Sequence, residues 1–240
     1  MLTPDYPIRT ARLDLRPFEP TDLAALHAYR SRPDVVRYLY EEPDDEAATR
    51  ASLERRLRRT ALRTGGDALN LAVVVRETGR LVGDVMLAWT SAEHRQGEIG
   101  YVFHPAAAGR GYATEAAAEM LRLGFEWLGL HRVVGRLDAR NTASARVLER
   151  LGMRREAHLV QNEFVKGEWT DEAIYALLAA EWRAADGAAD VASAPDHAIE
   201  AALAADRGVD VAPAADHGDG LALAADHGDD VAPATVRPGI

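Results

Sequence analysis

Cysteine is absent from all 240 residues, which excludes disulfides, thiolate metal sites and a cysteine nucleophile together. No apolar run approaches the ~18 residues that a membrane helix needs. The first thirty residues hold no basic segment followed by an apolar one, the pattern of a secretory leader. The expectation is a cytoplasmic protein with no membrane partner. Aromatic residues are few, 6% of the chain, and none lies beyond Trp182. Basic residues are outnumbered, 28 Lys+Arg against 38 Asp+Glu, for a formal net charge of -10. An acidic chain argues against nucleic acid as a partner. What is present, 48% apolar residues, suffices for a real core.

The charge is uneven. Residues 184–240 hold ten Asp, Glu200 and only Arg207 and Arg237, a net -9, which leaves -1 for residues 1–183. Three ten-residue units begin at Ala204, Ala214 and Ala224, each reading Ala-Ala-Asp, then Arg207, His217 or His227, then glycine. Two degenerate copies start at Ala184 and Ala194. The period is too short for helical solenoids, and the units have no apolar face to stack. The composition predicts a disordered acidic tail. Two sharper readings stay open: weak metal binding by Asp216, His217, Asp219 and their repeats, or docking to a basic partner. Either must overcome the entropy a flexible chain loses when it closes a site. The chain thus reads as one domain, 1–183, and a tail, 184–240.

Residues 1–183 alternate strand-like and helix-like segments, which predicts an α/β fold with a mixed sheet. Alternation predicts a first strand over 12–16. Thr21, with Asp22 in the first turn, suits the N-cap of a helix reaching Tyr29. Leu53, Leu57 and Leu62 near helical spacing predict a helix over 46–64, ended by Gly65-Gly66. Residues 71–75 and 81–90 read as a hairpin turned at Gly79. A strand over 98–103, an amphipathic helix over 114–128 and a strand over 132–137 predict a parallel crossover. A helix over 142–151 meets Gly152 where a C-terminal cap belongs. Strands over 154–165 and 171–178 flank a turn at Lys166-Gly167. Phe125 and Trp127 fall at core positions, and the arginine-rich face from Arg50 to Arg59 reads as solvated.

The most informative segment joins the central strand to its helix. Gly109-Arg110-Gly111-Tyr112-Ala113 puts two glycines just before a helix start. Such a loop turns several N–H groups toward one point, and the helix dipole adds partial positive charge, which is the physics of a phosphate cradle. It is neither a Walker loop nor the three-glycine dinucleotide fingerprint.

Glu98-Ile99-Gly100-Tyr101-Val102-Phe103-His104-Pro105, followed by Gly109 to Ala116, resembles the acyl-coenzyme A signature of the GCN5-related N-acetyltransferases (GNAT). A second match follows: Asn141, Ser144, Arg146, Val147, Leu148 and Leu151-Gly152-Met153 are similar to the family's asparagine-opened helix. Leu81-Val82-Gly83 fits as well, and Gly167 to Glu172 is similar to the hairpin of the branch that acetylates ribosomal-protein N-termini. The resemblance covers about residues 8–180. It implies a single α/β domain whose mixed, mostly antiparallel sheet has a splayed central parallel pair and flanking helices.

The resemblance also implies a division of labour. Pantetheine would pair with the backbone of Tyr101, Val102 and Phe103. The amides of Gly109, Arg110, Gly111, Tyr112, Ala113 and Thr114 would hold the pyrophosphate, and Asn141 would bond the pantetheine arm. A neutral primary amine, on a protein N-terminus or a small molecule, would attack the thioester directly, without a covalent enzyme intermediate. A backbone N–H near Val102 or Phe103 would polarise the carbonyl. Glu98 is the candidate base, with Glu163 a weaker rival. The family's usual acid, a tyrosine, is Leu148 here, so Ser144 is the candidate acid. His104 beside the cradle reads as a loop residue, and the Tyr112 ring as packing. Acetyl-CoA and an amine acceptor are the expected partners, with no metal, and a homodimer remains open. A catalytically silent acyl-CoA-binding protein, or a transferase of another acyl group such as succinyl, is the alternative.

Overall fold

The strands differ in patterning: Leu13–Arg16 alternates buried and half-exposed positions, whereas Ala68–Val75 is buried almost throughout. In the computed structural model, which describes residues 1–185, these are β1 Ile8–Arg9, β2 Leu13–Arg16, β3 Ala68–Val75, β4 Arg80–Ser91, β5 Gln96–Phe103, β6 Arg132–Asp138, β7 Arg154–Val165 and β8 Glu168–Leu178. They form one sheet in the order β1-β2-β3-β4-β5-β6-β8-β7. Neighbours run antiparallel except β5 and β6, which are parallel. The helices are α1 Leu23–Arg30, α2 Pro33–Val36, α3 Glu46–Arg58, α4 Tyr112–Arg122 and α5 Thr142–Arg150. The repeat units and the metal candidates Asp216, His217 and Asp219 lie outside the described residues.

Two apolar clusters sandwich the sheet. Inward residues such as Leu71, Val73, Ile99 and Val133 pack with Ala116, Met120 and Leu121 of α4 and Leu148 of α5. On the opposite face Ala72 and Val102 pack with Leu26 and Tyr29 of α1 and Leu53 of α3. Because strand side chains alternate, Glu98 and Val102 of β5 share this second face, away from Ile99.

Five expectations are corrected. Thr21 does not cap the first helix. It lies inside a short 3-10 turn, Pro20–Asp22; the Asp22 carboxylate accepts the Glu19 N–H at 2.8 Å and a forked pair of bonds from Arg16, so α1 begins at Leu23. The helix over 46–64 stops at Arg58, because Leu62 is buried by a backbone bridge to Leu2. The helix from 114 starts earlier, at Tyr112, and its last turn, Leu123–Trp127, widens to a π-turn in which Leu128 N–H reaches back to the Leu123 carbonyl. That wider turn rotates Trp127 outward, 66% exposed beside Arg122, while Phe125 stays buried and stacks on Trp182. Arg56 leaves the solvated face and reaches inward to the buried Asp84 at 3.6 Å.

Candidate active site

The parallel pair β5–β6 is hydrogen-bonded over three residues, Gln96 to Glu98 against Arg132 to Val134. Beyond that the two strands part: β5 stays with β4 as far as Phe103, and β6 stays with β8 as far as Asp138. A wedge therefore opens in the sheet, and Glu98 sits at its apex. Its carboxyl is half-buried. Burial raises its pKa, Arg136 opposes the rise and Glu172 adds to it, with the balance at about 7. A carboxyl there titrates near neutral pH, where a general base is most effective.

Alternation also sorts the backbone of β5. The His104 N–H donates to the Val82 carbonyl at 2.8 Å, and Val102 stands in register with Asp84. In an antiparallel ladder, bonded residues alternate with residues pointing away. Val102 therefore bonds to β4, and the backbone groups of Tyr101 and Phe103 point into the wedge. The Tyr101 hydroxyl crosses the wedge to donate to the Ser144 carbonyl at 2.9 Å. Asn141 accepts the Ser144 N–H through Oδ1 at 3.1 Å, capping α5; its NH2 group is the part left for a ligand. Leu148, where the family has tyrosine, is buried against the bare backbone of Gly135, whose Cβ would come within 2.9 Å of it.

At the wide end of the wedge, Gly111 takes a left-handed φ of 76° and starts α4 with no side-chain cap. The first intrahelical donor is Glu115 N–H, to the Gly111 carbonyl, so the amides of Tyr112, Ala113 and Thr114 have no intrahelical acceptor and could hold an anion. His104 is a cap rather than a site residue, its Nδ1 accepting the Ala106 N–H at 3.0 Å. No motif pointed to the clamp behind the cradle. Arg12 bonds the Arg110 carbonyl at 2.8 Å, lies over the Tyr112 ring, and pairs with Glu115 at 2.6 Å. Burial works to raise the Glu115 pKa, but bonds from Thr10 and Arg12 outweigh it and hold the carboxyl below its usual range. Gly111→Val is expected to weaken CoA binding about tenfold, since a left-handed β-branched residue costs roughly 1–2 kcal/mol and its Cβ would meet Arg12 at 3.3 Å. Isothermal titration with CoA checks this; an unchanged Kd would contradict the cradle.

A strand wedge closed by an uncapped, glycine-led helix has known counterparts. The family described as "Acetyltransferase (GNAT) domain" matches residues 12–154. This chain belongs to the GNAT acetyltransferases. An uncharacterized N-acetyltransferase of Bacillus subtilis, YnaD, is 34% identical over 73% of this chain and 98% of its own. A GNAT-family acetyltransferase structure from Bacillus anthracis is 35% identical, with a TM-score of 0.66, over 72% of this chain and 99% of that one. The Escherichia coli spermidine N(1)-acetyltransferase is 28% identical over 65% of this chain and 80% of its own. The mixed sheet with its parallel central pair is the GNAT fold.

On the α1/α3 face of this GNAT domain the wedge is lined by charge. Arg136 donates to both oxygens of the buried Glu172, at 2.7 and 2.9 Å, and Asn162 donates to Glu172 at 3.1 Å. Tyr40, from the segment between α2 and α3, donates its hydroxyl to Glu163 of β7. Burial first, then Glu163, pushes the Tyr40 pKa above its ordinary value, so its proton stays put. Lys166 at the β7–β8 turn bonds the Val36 carbonyl at 2.6 Å. Glu98 and Glu163, the two base candidates, are thus brought to one face, with Glu163 already engaged. Arg136, Glu172 and Tyr40 were not foreseen, because strand residues remote in sequence converge here only through the sheet.

Proposed function

We propose that the chain moves acetyl from acetyl-CoA to a primary amine by direct attack within a ternary complex. The observation that carries this is the position of Glu98, at the apex of the wedge with its carboxyl poised near neutral pH. Pantetheine lies along the wedge against Tyr101 and Phe103, and the amides of residues 109–114 hold the pyrophosphate. The Phe103 N–H polarises the thioester carbonyl, Glu98 takes the proton of the incoming ammonium, and as the C–N bond forms and the C–S bond breaks Ser144 gives a proton to the departing thiolate and regains one from the attacking nitrogen. Because a thiolate leaves readily, Ser144→Ala should slow kcat only about tenfold, below the usual range for acid catalysis; an unchanged kcat removes Ser144 as the acid.

Three carboxylates, Glu98, Glu163 and Glu172, against one guanidinium, Arg136, suit a cationic acceptor. Relatives named as spermidine N(1)-acetyltransferases support a small polyamine. The test is thiol release from acetyl-CoA with spermidine, simple diamines, a peptide with a free N-terminus, an aminoglycoside and a neutral amine. Release should be fastest with the diamines and spermidine. CoA binding with no release for any amine would identify a silent acyl-CoA-binding protein instead.

A further inference from the structure

We infer that Arg136, locked in place by Glu172 and Asn162, is a positioning residue that keeps Glu98 ionised and so available as the base. The inference rests on the reading of Glu98 as the base. Arg136 stands two residues beyond Val134, the register partner of Glu98 in the parallel ladder. Side chains alternate, so Arg136 and Glu98 share the α1/α3 face at the point where the strands part. The guanidinium is fixed by a fork to Glu172, at 2.7 and 2.9 Å, and Glu172 is 2% exposed and also held by Asn162. The fork uses two of five N–H donors, and the charge cannot be titrated away.

A buried pair of this kind is a weak stabiliser, because desolvation offsets the Coulomb gain. Its field on a third charge has no such offset. The groups that surround Glu98 are few in kind. From β4, uncharged Ala88 and Met86 lie opposite and beside it, with Asp84, bound to Tyr29 and Arg56, farther along the face. From β6 comes Arg136, from β8 Glu172, and from the α2–α3 segment Tyr40, which is bonded to Glu163 of β7. Arg136 and Glu172 are the two charges whose fields reach Glu98, and they act in opposite senses. Removal of the first lets burial protonate the base; removal of the second deepens its ionisation.

The experiment is kcat/KM against pH for the full chain and for Arg136→Gln, Arg136→Lys, Glu172→Gln and Glu98→Gln, each checked by thermal melt. The limb that lies near pH 7 in the parent should move up by about one pH unit in Arg136→Gln. It should move down by a smaller step in Glu172→Gln and stay near the parent's in Arg136→Lys. A merely structural role would lower rates without moving the limb. If Arg136→Gln fails to fold, the downward shift of Glu172→Gln and the unmoved limb of Arg136→Lys still decide. An unmoved limb in Arg136→Gln, or shifts of the same sign in Arg136→Gln and Glu172→Gln, overturns the inference. A limb that persists in Glu98→Gln overturns the base reading instead.

Discussion

Glu98→Gln is expected to lower kcat/KM by about 10²–10⁴, the range for a lost general base, and to abolish the rise in rate through about pH 7. The sign follows from which form works. Only the carboxylate accepts a proton, so activity is present above the pKa of about 7 and lost as pH falls through it. The same burial has an opposite effect on stability. A carboxyl raised from 4.5 to about 7 on folding disfavours the folded state increasingly as pH rises between those values. Glutamine carries no charge, so the variant should gain more in melting temperature at pH 8 than at pH 5. A steady-state pH profile and paired melts measure both. Retention of the parent's rate and limb would assign the proton to another group, with Glu163 next in line.

Asp84→Ala is the largest expected loss of stability. Asp84 is 3% exposed on β4, accepts the Tyr29 hydroxyl at 2.5 Å and pairs with Arg56 at 3.6 Å. Its field also acts on the buried Arg30. Alanine leaves the Arg56 guanidinium without its carboxylate partner and the buried Tyr29 hydroxyl without its acceptor, a loss of about 3–5 kcal/mol, while Arg30 keeps Glu41 and Asp44. For a domain of this size that is roughly a 6–20 °C drop in melting temperature. Asp84→Asn, which keeps the shape and a partner for Tyr29, should fall less far. Calorimetric melts decide; an alanine variant within about 2 °C of the parent would mean that Asp84 does not anchor α1 and α3 to the sheet.

Much of the site was legible because its carriers are local. Two glycines before a helix, an asparagine at a helix start and a strand–helix–strand order are patterns within a few residues of one another, and all three stand where they were read. Leu148 was legible as a missing tyrosine, although only the structure shows it buried against Gly135. What was missed is non-local. Arg12 and Glu115 are joined across a hundred residues of chain, and Arg136 meets Glu172 through strand pairing. No spacing in the sequence encodes such partners. Trp127 failed for a different reason: a π-turn inserts a residue into the helical period, and the period was the whole basis for placing that ring in the core. Arg56 failed because a charge run looks solvated until a buried carboxylate, here Asp84, is placed opposite it.

The order of addition in the transfer tests the account most directly. Initial rates of thiol release, measured over a grid of acetyl-CoA and amine concentrations, should give intersecting double-reciprocal lines. Mass spectrometry of the enzyme held with acetyl-CoA alone should then show no acetylated residue. Parallel lines together with an acetyl-enzyme would contradict direct attack and move the chemistry from the wedge around Glu98 to a nucleophile on the chain.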